Sequence, residues 1–318
     1  MRVTTRTAVD SLVQNIDRSY GRIVKFQSQL SSGSRLNTLS DDPAAVERSL
    51  SLRAELRNIE QFQKNIDDGT GWLEISEAAL NELESLFVEA RGLTVQGASD
   101  TYDSQERAAI ANQIDQFLEH AVSLSETRYR GRYIFGGTQT SDPAYIPTRE
   151  RMVDVRDPDT NEIIERRPEG RILRISPRGD TTGSIEREVS DGVIMQVNVS
   201  GSELFEGALN AFDVLIELRD ALVADDVSSV RGSLTRVDDM REKISTARGV
   251  IGARVNRMEL TRNILDRVST EMIGILSEDE DVDVTSTIVN LRQEQDVFQA
   301  ALASGSMVIP DSLMDFIG

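Results

Sequence analysis

The chain has 318 residues, enough for two domains, and its 35 basic against 54 acidic side chains leave a net charge of −19 and a pI near 4.6. That balance repels phosphate backbones and anionic lipid headgroups, so neither nucleic acid nor a membrane is an expected partner. Without cysteine there is no disulfide, thiolate nucleophile or zinc-thiolate site, and one histidine, one tryptophan and 5% aromatics leave little for a catalytic pocket. No enzyme, cofactor or metal site is therefore expected.

The opening residues Met1 to Thr7 lack the apolar stretch of a secretory signal, and no run of about 18 apolar residues could span a membrane. A soluble chain without a cleaved signal is expected. The first long element carries a four-three apolar seam of Val9, Val13, Ile16, Tyr20, Ile23, Gln27 and Leu30. This spacing draws one straight line along a slightly underwound helix, as in a coiled coil. Next, Asp41-Asp42-Pro43 reads as a capped helix start. The helix it opens is continuous to about Leu93, although Gly69 and Gly71 each weaken it by about 1 kcal/mol. A second start at Asp103-Ser104 opens a helix with Ile110, Ile114, Phe117, Leu118 and Leu124 that fails near Gly131.

Five of the seven prolines, Pro143, Pro147, Pro158, Pro168 and Pro177, fall in the next stretch. Alternating runs there, such as Val153/Val155 and Val193/Met195/Val197/Val199, are separated by turn clusters at 157–159, 168–170, 177–180 and 190–192. Residues 138–201 are thus expected to form a small inserted β domain. Beyond it come a shorter helix with Phe212, Leu215, Leu218 and Leu222, and a long one from about Asp226 to Leu276. The last element repeats the four-three seam with Val284, Ile288, Leu291, Gln295, Phe298, Leu302, Gly305 and Ile309.

The fold class expected is mainly α with a β insertion, a long-helix bundle or coiled-coil rod. Its parts are a paired terminal domain (1–40 with 282–318), a helical rod (41–137 with 202–281) and the insertion. The apolar seam residues Val9, Val13, Ile16, Tyr20, Ile23, Leu30, Val284, Ile288, Leu291, Phe298, Leu302 and Ile309 are the expected subunit interface. Each ordered residue loses about 1–2 kcal/mol of conformational freedom, and a single seam buries only one face of each helix. Ends that are disordered in the monomer and ordered in a polymer are the natural consequence.

Other motifs read more plainly as structure. His120 has no second histidine to work with, which leaves it a surface helix residue. The acidic run 278–283 does not fit a calcium loop, since Val284 and Asn290 stand where glycine and a bidentate glutamate are needed. It suits instead the N-terminal dipole of the final helix and an exposed, charged joint. Gly131 to Thr138 has phosphate-loop glycine spacing, but Gly137 occupies the lysine position, so a short Tyr133-Ile134-Phe135 strand and a tight turn are expected. Arg178-Gly179-Asp180 matches an adhesion tripeptide that any exposed turn could carry, and Asn198-Val199-Ser200 is a glycosylation acceptor only on a secretory route.

Arg35-Leu36-Asn37 followed by Ser40-Asp41-Asp42-Pro43-Ala44, with coiled segments at both ends, resembles the bacterial flagellin family. The stretches 131–137, 252–259 and 299–305 resemble those of members that join hook to filament. The likeness covers both helical flanks. Arg35 and Ala45 stand where the family often has Lys and Gly, and the ending 310–318 differs from ordinary flagellin tails. What the resemblance implies is a non-enzymatic axial subunit, exported without signal cleavage through the flagellar type III apparatus and set at the hook-filament junction. The implied partners are a neighbouring hook-associated protein, filament flagellin, further copies of the chain, and an export chaperone on the C-terminal helix. Filament flagellin is the alternative, with an adhesin or enzyme domain on a helical stalk behind it.

Overall fold

The computed structural model describes residues 5–38, 40–156 and 163–308. Two compact units divide the chain, one made of residues 1–59 with 266–318 and the other of residues 60–265. Both boundaries fall inside long helices, where the sequence reading had placed the limits of the terminal domain at 40 and 282.

In the first unit, α1 (Thr5–Ser32) and α7 (Val284–Val308) run antiparallel. The direction follows from the partners, because Leu12 meets Gly305, Arg22 meets Glu294, and Ser34 bridges Asp281. This unit also holds the start of α2 (Pro43–Gly97) and the end of α6 (Val227–Glu280). Asp42 caps α2 by accepting from the amide of Ala45 at 3.1 Å.

In the second unit, α3 (Ser104–Ser125) opens on a capping box, Asp103 accepting from the Glu106 amide while Glu106 accepts from the Asp103 amide. The helix ends at Ser125, short of Gly131, and the chain turns into the hairpin β1 (Arg128–Tyr129) and β2 (Arg132–Tyr133). Arg130 and Gly131 make its two-residue turn, both with positive φ (48° and 80°), the primed geometry that suits a tight hairpin. Ile134 and Phe135, expected to continue the strand, form a buried turn instead.

The insertion contains two further antiparallel pairs, β3 (Tyr145–Arg156) with β4 (Ile163–Pro177), and β5 (Glu186–Ser190) with β6 (Val193–Gln196). The expected turn at 157–159 lies outside the described residues. The one at 168–170 is corrected: these residues lie within β4, where Gly170 takes φ 91° beside a shift of register. In a two-stranded sheet every strand has an open edge, so Pro168 needs no donor there, and the glycine serves a bulge.

Helix α4 (Gly201–Phe205), which the sequence reading passed over, leads to α5 (Ala211–Val223). Phe135, Tyr145, Phe205 and Phe212 cluster with neighbouring ring centroids 4.8 to 5.4 Å apart and seal the insertion to these helices. Arg219 is 2% exposed and donates to Asp115 of α3 at 2.9 Å, to the Ile172 carbonyl of β4 at 2.7 Å and to Asp220. It ties three elements at one point. The glycines of α2 have a purpose as well. A Cβ at Gly69 would stand 2.7 Å from Val197 Cγ1, and one at Gly71 2.5 Å from the Tyr129 hydroxyl.

Candidate subunit interface

Each terminal helix carries two apolar rows. On α1 the inward row is Leu12, Ile16, Ser19, Ile23, Phe26 and Leu30, and on α7 it is Thr287, Leu291, Glu294, Phe298, Ala301 and Gly305, both in four-three spacing. Of the residues expected at the interface, Ile16, Ile23, Leu30, Leu291 and Phe298 lie on these rows. Val13 (50% exposed), Tyr20 (58%), Val284 (52%), Ile288 (39%) and Leu302 (47%) form a second, outward row. Val9 is in α1, and Ile309 lies outside the described residues. The single seam read from the sequence therefore draws its members from two adjacent rows. One is used between the two ends of the same chain, and the other is open.

Polar and small side chains set the pairing of the inward rows. Glu294 receives a two-pronged grip from Arg22, Nε to Oε1 at 2.8 Å and Nη2 to Oε2 at 2.9 Å, and the buried Ser19 hydroxyl donates to the same carboxylate at 3.0 Å. Arg22 first, and Ser19 after it, hold the Glu294 carboxyl below its ordinary range. Gly305 lets Leu12 approach, since a Cβ there would sit 2.9 Å from its Cδ2. Tyr20 and Phe298 flank the seam with ring centroids 6.0 Å apart.

Beyond these helices the chain enters and leaves through a braced joint. The Arg35 amide donates to the Glu280 carbonyl at 2.6 Å and the Val282 amide to the Gly33 carbonyl at 3.0 Å. The Arg35 guanidinium reaches the Asp279 carbonyl at 2.7 Å, Arg48 grips the Asp279 carboxylate, and Arg53 the Glu280 carboxylate. Asp41 accepts from Lys25 and from the amides of Asn37 and Thr38, which together lower its pKa to about 2, the lysine contributing most. The acidic run thus divides its work. Asp279 and Glu280 bind arginines of α2, and Asp283 caps α7 by accepting from the amides of Thr285 and Ser286. The joint is more closely paired than an exposed charged hinge.

Of the remaining motifs, Asn198-Val199-Ser200 is buried. His120 and Arg178 to Asp180 are exposed. Among the described residues, no group of three or more His, Asp or Glu side chains is arranged to hold a metal ion, and no helix is long and apolar enough to cross a membrane.

Long helices, an inserted β segment and two chain ends paired side by side with an apolar row left over define a class of mainly helical assembly subunits. Residues 3–140 match the family described as the bacterial flagellin N-terminal helical region. The chain is 25% identical over 282 residues to flagellin of Halalkalibacterium halodurans (88% of this chain, 85% of that protein) and 24% identical over 308 residues to flagellin of Bacillus subtilis (95% and 94%). Its fold is similar to those of FlgL from Bacillus cereus (TM-score 0.54, 23% identity, 71% of this chain and 99% of that one) and flagellar hook associated protein-3 from Legionella pneumophila (0.58, 11%, 71% and 97%). The chain carries the flagellin N-terminal helical region and is similar to flagellins over most of its length.

Proposed function

We propose that this chain is a structural subunit of the bacterial flagellum, exported to the axial structure and joining hook to filament by polymerising through its terminal helices. The role needs no catalysis. One observation carries the reading: Val13, Tyr20, Val284, Ile288 and Leu302 remain exposed after the two ends have paired. Exposed apolar side chains grouped on paired helices favour contact with a neighbour that covers them. Copies of the same chain, a hook-associated protein on one side and filament flagellin on the other supply such neighbours, and an export chaperone can cover α7 before assembly.

A deletion strain complemented with variants tests this. Ile288→Asp and Leu302→Asp, both exposed, should leave a folded chain and abolish filament attachment and motility, as should removal of residues 282–318. Normal filaments on these variants would refute the terminal interface. The flagellins of H. halodurans and B. subtilis, matched over most of their length, favour a second reading as the filament subunit. Immunogold labelling separates the two: gold confined to the junction supports the first, and gold along the filament the second.

A further inference from the structure

The β1/β2 hairpin, whose glycine spacing suggested a phosphate loop with the wrong residue at the lysine position, gathers positive charge in another way. Its Arg130 and Arg132, together with Arg187 of β5, surround a cavity of about 260 Å³ walled by Trp72 and Tyr129, with Asp68 at its edge. Trp72 is 5% exposed, its indole N–H has no hydrogen-bond partner, and its ring stands edge-on to Tyr129 at 5.9 Å. The place is built: Tyr129 reaches it only because position 71 is glycine.

Charge there is out of balance. Asp68 is shared by Arg130 at 2.9 Å and Arg187 at 3.5 Å, and the Arg132 guanidinium has no partner among the described residues. Three guanidiniums thus face one carboxylate in a chain where acidic side chains outnumber basic ones by 54 to 35. Guanidinium forks match a planar carboxylate, and the aromatic walls keep water from competing for it. The cavity has room for one acidic side chain and is below the usual size of a cofactor site. We propose that it is a carboxylate pocket that receives a Glu or Asp of a second copy of this chain. The choice of a second copy rests on the axial assembly proposed above. Packing many copies of a −19 chain side by side requires local complementarity at the contacts, because screening removes the long-range field within about 8 Å at physiological salt and leaves close pairs to decide.

Trp72 is the only tryptophan, so its emission reports on the pocket directly. Glutarate, standing in for a glutamate side chain, is titrated into the full-length protein at constant ionic strength. A saturable change in emission is expected, weakened at least tenfold in Arg132→Gln and Arg187→Gln and unchanged in Arg91→Gln, which lies elsewhere. A wild-type response no different from that to added sodium chloride would overturn the pocket. A photoreactive residue at the exposed position 186, beside Arg187 and outside the pocket lining, in flagella isolated from cells then identifies the occupant. A dimer of the 35.3 kDa chain, linked at Asp or Glu, is expected. Crosslinks to another protein only, or none, would overturn the second-copy assignment. If the chain is missing from isolated flagella, the flagellar reading fails, and the glutarate titration still decides the pocket.

Discussion

Arg22 and Glu294 lie 272 positions apart and meet through two parallel hydrogen bonds at the solvent edge of the paired terminal helices. Neither would be expected on an apolar seam, yet together with Ser19 they fix which turn of one helix faces which turn of the other. A sliding apolar contact has no such preference, and a fork on a carboxylate has one.

Acid should loosen this pairing. Glu294, Asp279, Glu280 and Asp41 all have folded-state pKa values below the ordinary carboxylate range, Asp41 at about 2. Groups shifted downward stabilise the fold above their unfolded pKa, near 4, and the contribution is lost as pH falls through the folded value. In the assembled protein, protection of the α1 and α7 amides relative to their intrinsic exchange rates should therefore be high at pH 7 and fall between about pH 4 and 2. Equal protection across that range would contradict the assignment.

Proteolysis of the monomer should cut first before Asp41 and after Glu278. The inward rows include Ser19, Thr287, Glu294 and Gly305, so their apolar burial is modest against the freedom lost by ordering both helices. A monomer resistant along its whole length would remove the argument that the ends gain their order from assembly.

The C-terminal helix offers a paired comparison. Phe298→Asp places a charge on the inward row against Tyr20 and should weaken helix pairing, junction assembly and chaperone binding, by about 2 kcal/mol or more where the site is buried. Arg292→Asp, on the exposed side, should cost well under 1 kcal/mol. Calorimetry with the chaperone and microscopy of junctions must separate the two variants, and equal losses would exclude a shared seam.

Helical glycines should split by sign. Gly232 has open space around its would-be Cβ, so Gly232→Ala should stabilise by about 0.5–1 kcal/mol. Gly69→Ala gains the same propensity but drives its methyl into the buried Val197 and Met258, and a net loss of about 1–3 kcal/mol is expected. Urea titrations followed by circular dichroism measure both. A stabilised Gly69→Ala would show that this packing yields easily.

Removing the Asp115 carboxylate should destabilise the second unit by about 3 kcal/mol, because Arg219 would stay charged and buried with its main acidic partner gone. Asp220→Ala, at a carboxylate 58% exposed, should lose less than 1 kcal/mol. Thermal melts of the two variants provide the check.

Local signals made much of the helical framework legible. Asp42-Pro43, Asp103 with Glu106, and Asp226 announce helix starts through side chains that satisfy free amides within three residues, and that chemistry is complete in the sequence. The turn at Asp191-Gly192 was readable from its residue types, whereas Pro168-Glu169-Gly170 carries similar turn residues and lies inside a strand. A glycine with positive φ serves a turn or a bulge equally well, and only the partner strand decides which.

The sequence by itself determined that both ends would be amphipathic helices in four-three spacing, because that periodicity is a property of one helix. Which row turns inward was a tertiary decision. Ile16, Ile23 and Leu30 belong both to the seam read from the spacing and to the inward row, and the choice of their neighbours came from Ser19 and Arg22 finding Glu294 and from Gly305 admitting Leu12. The arginine pocket was likewise hidden, since Arg132 and Arg187 are far apart along the chain and the glycine motif around Arg132 gives no sign of Arg187. Spacing along a chain reports on neighbours within a few turns, whereas charge complementarity and close approach depend on distances that exist only after folding.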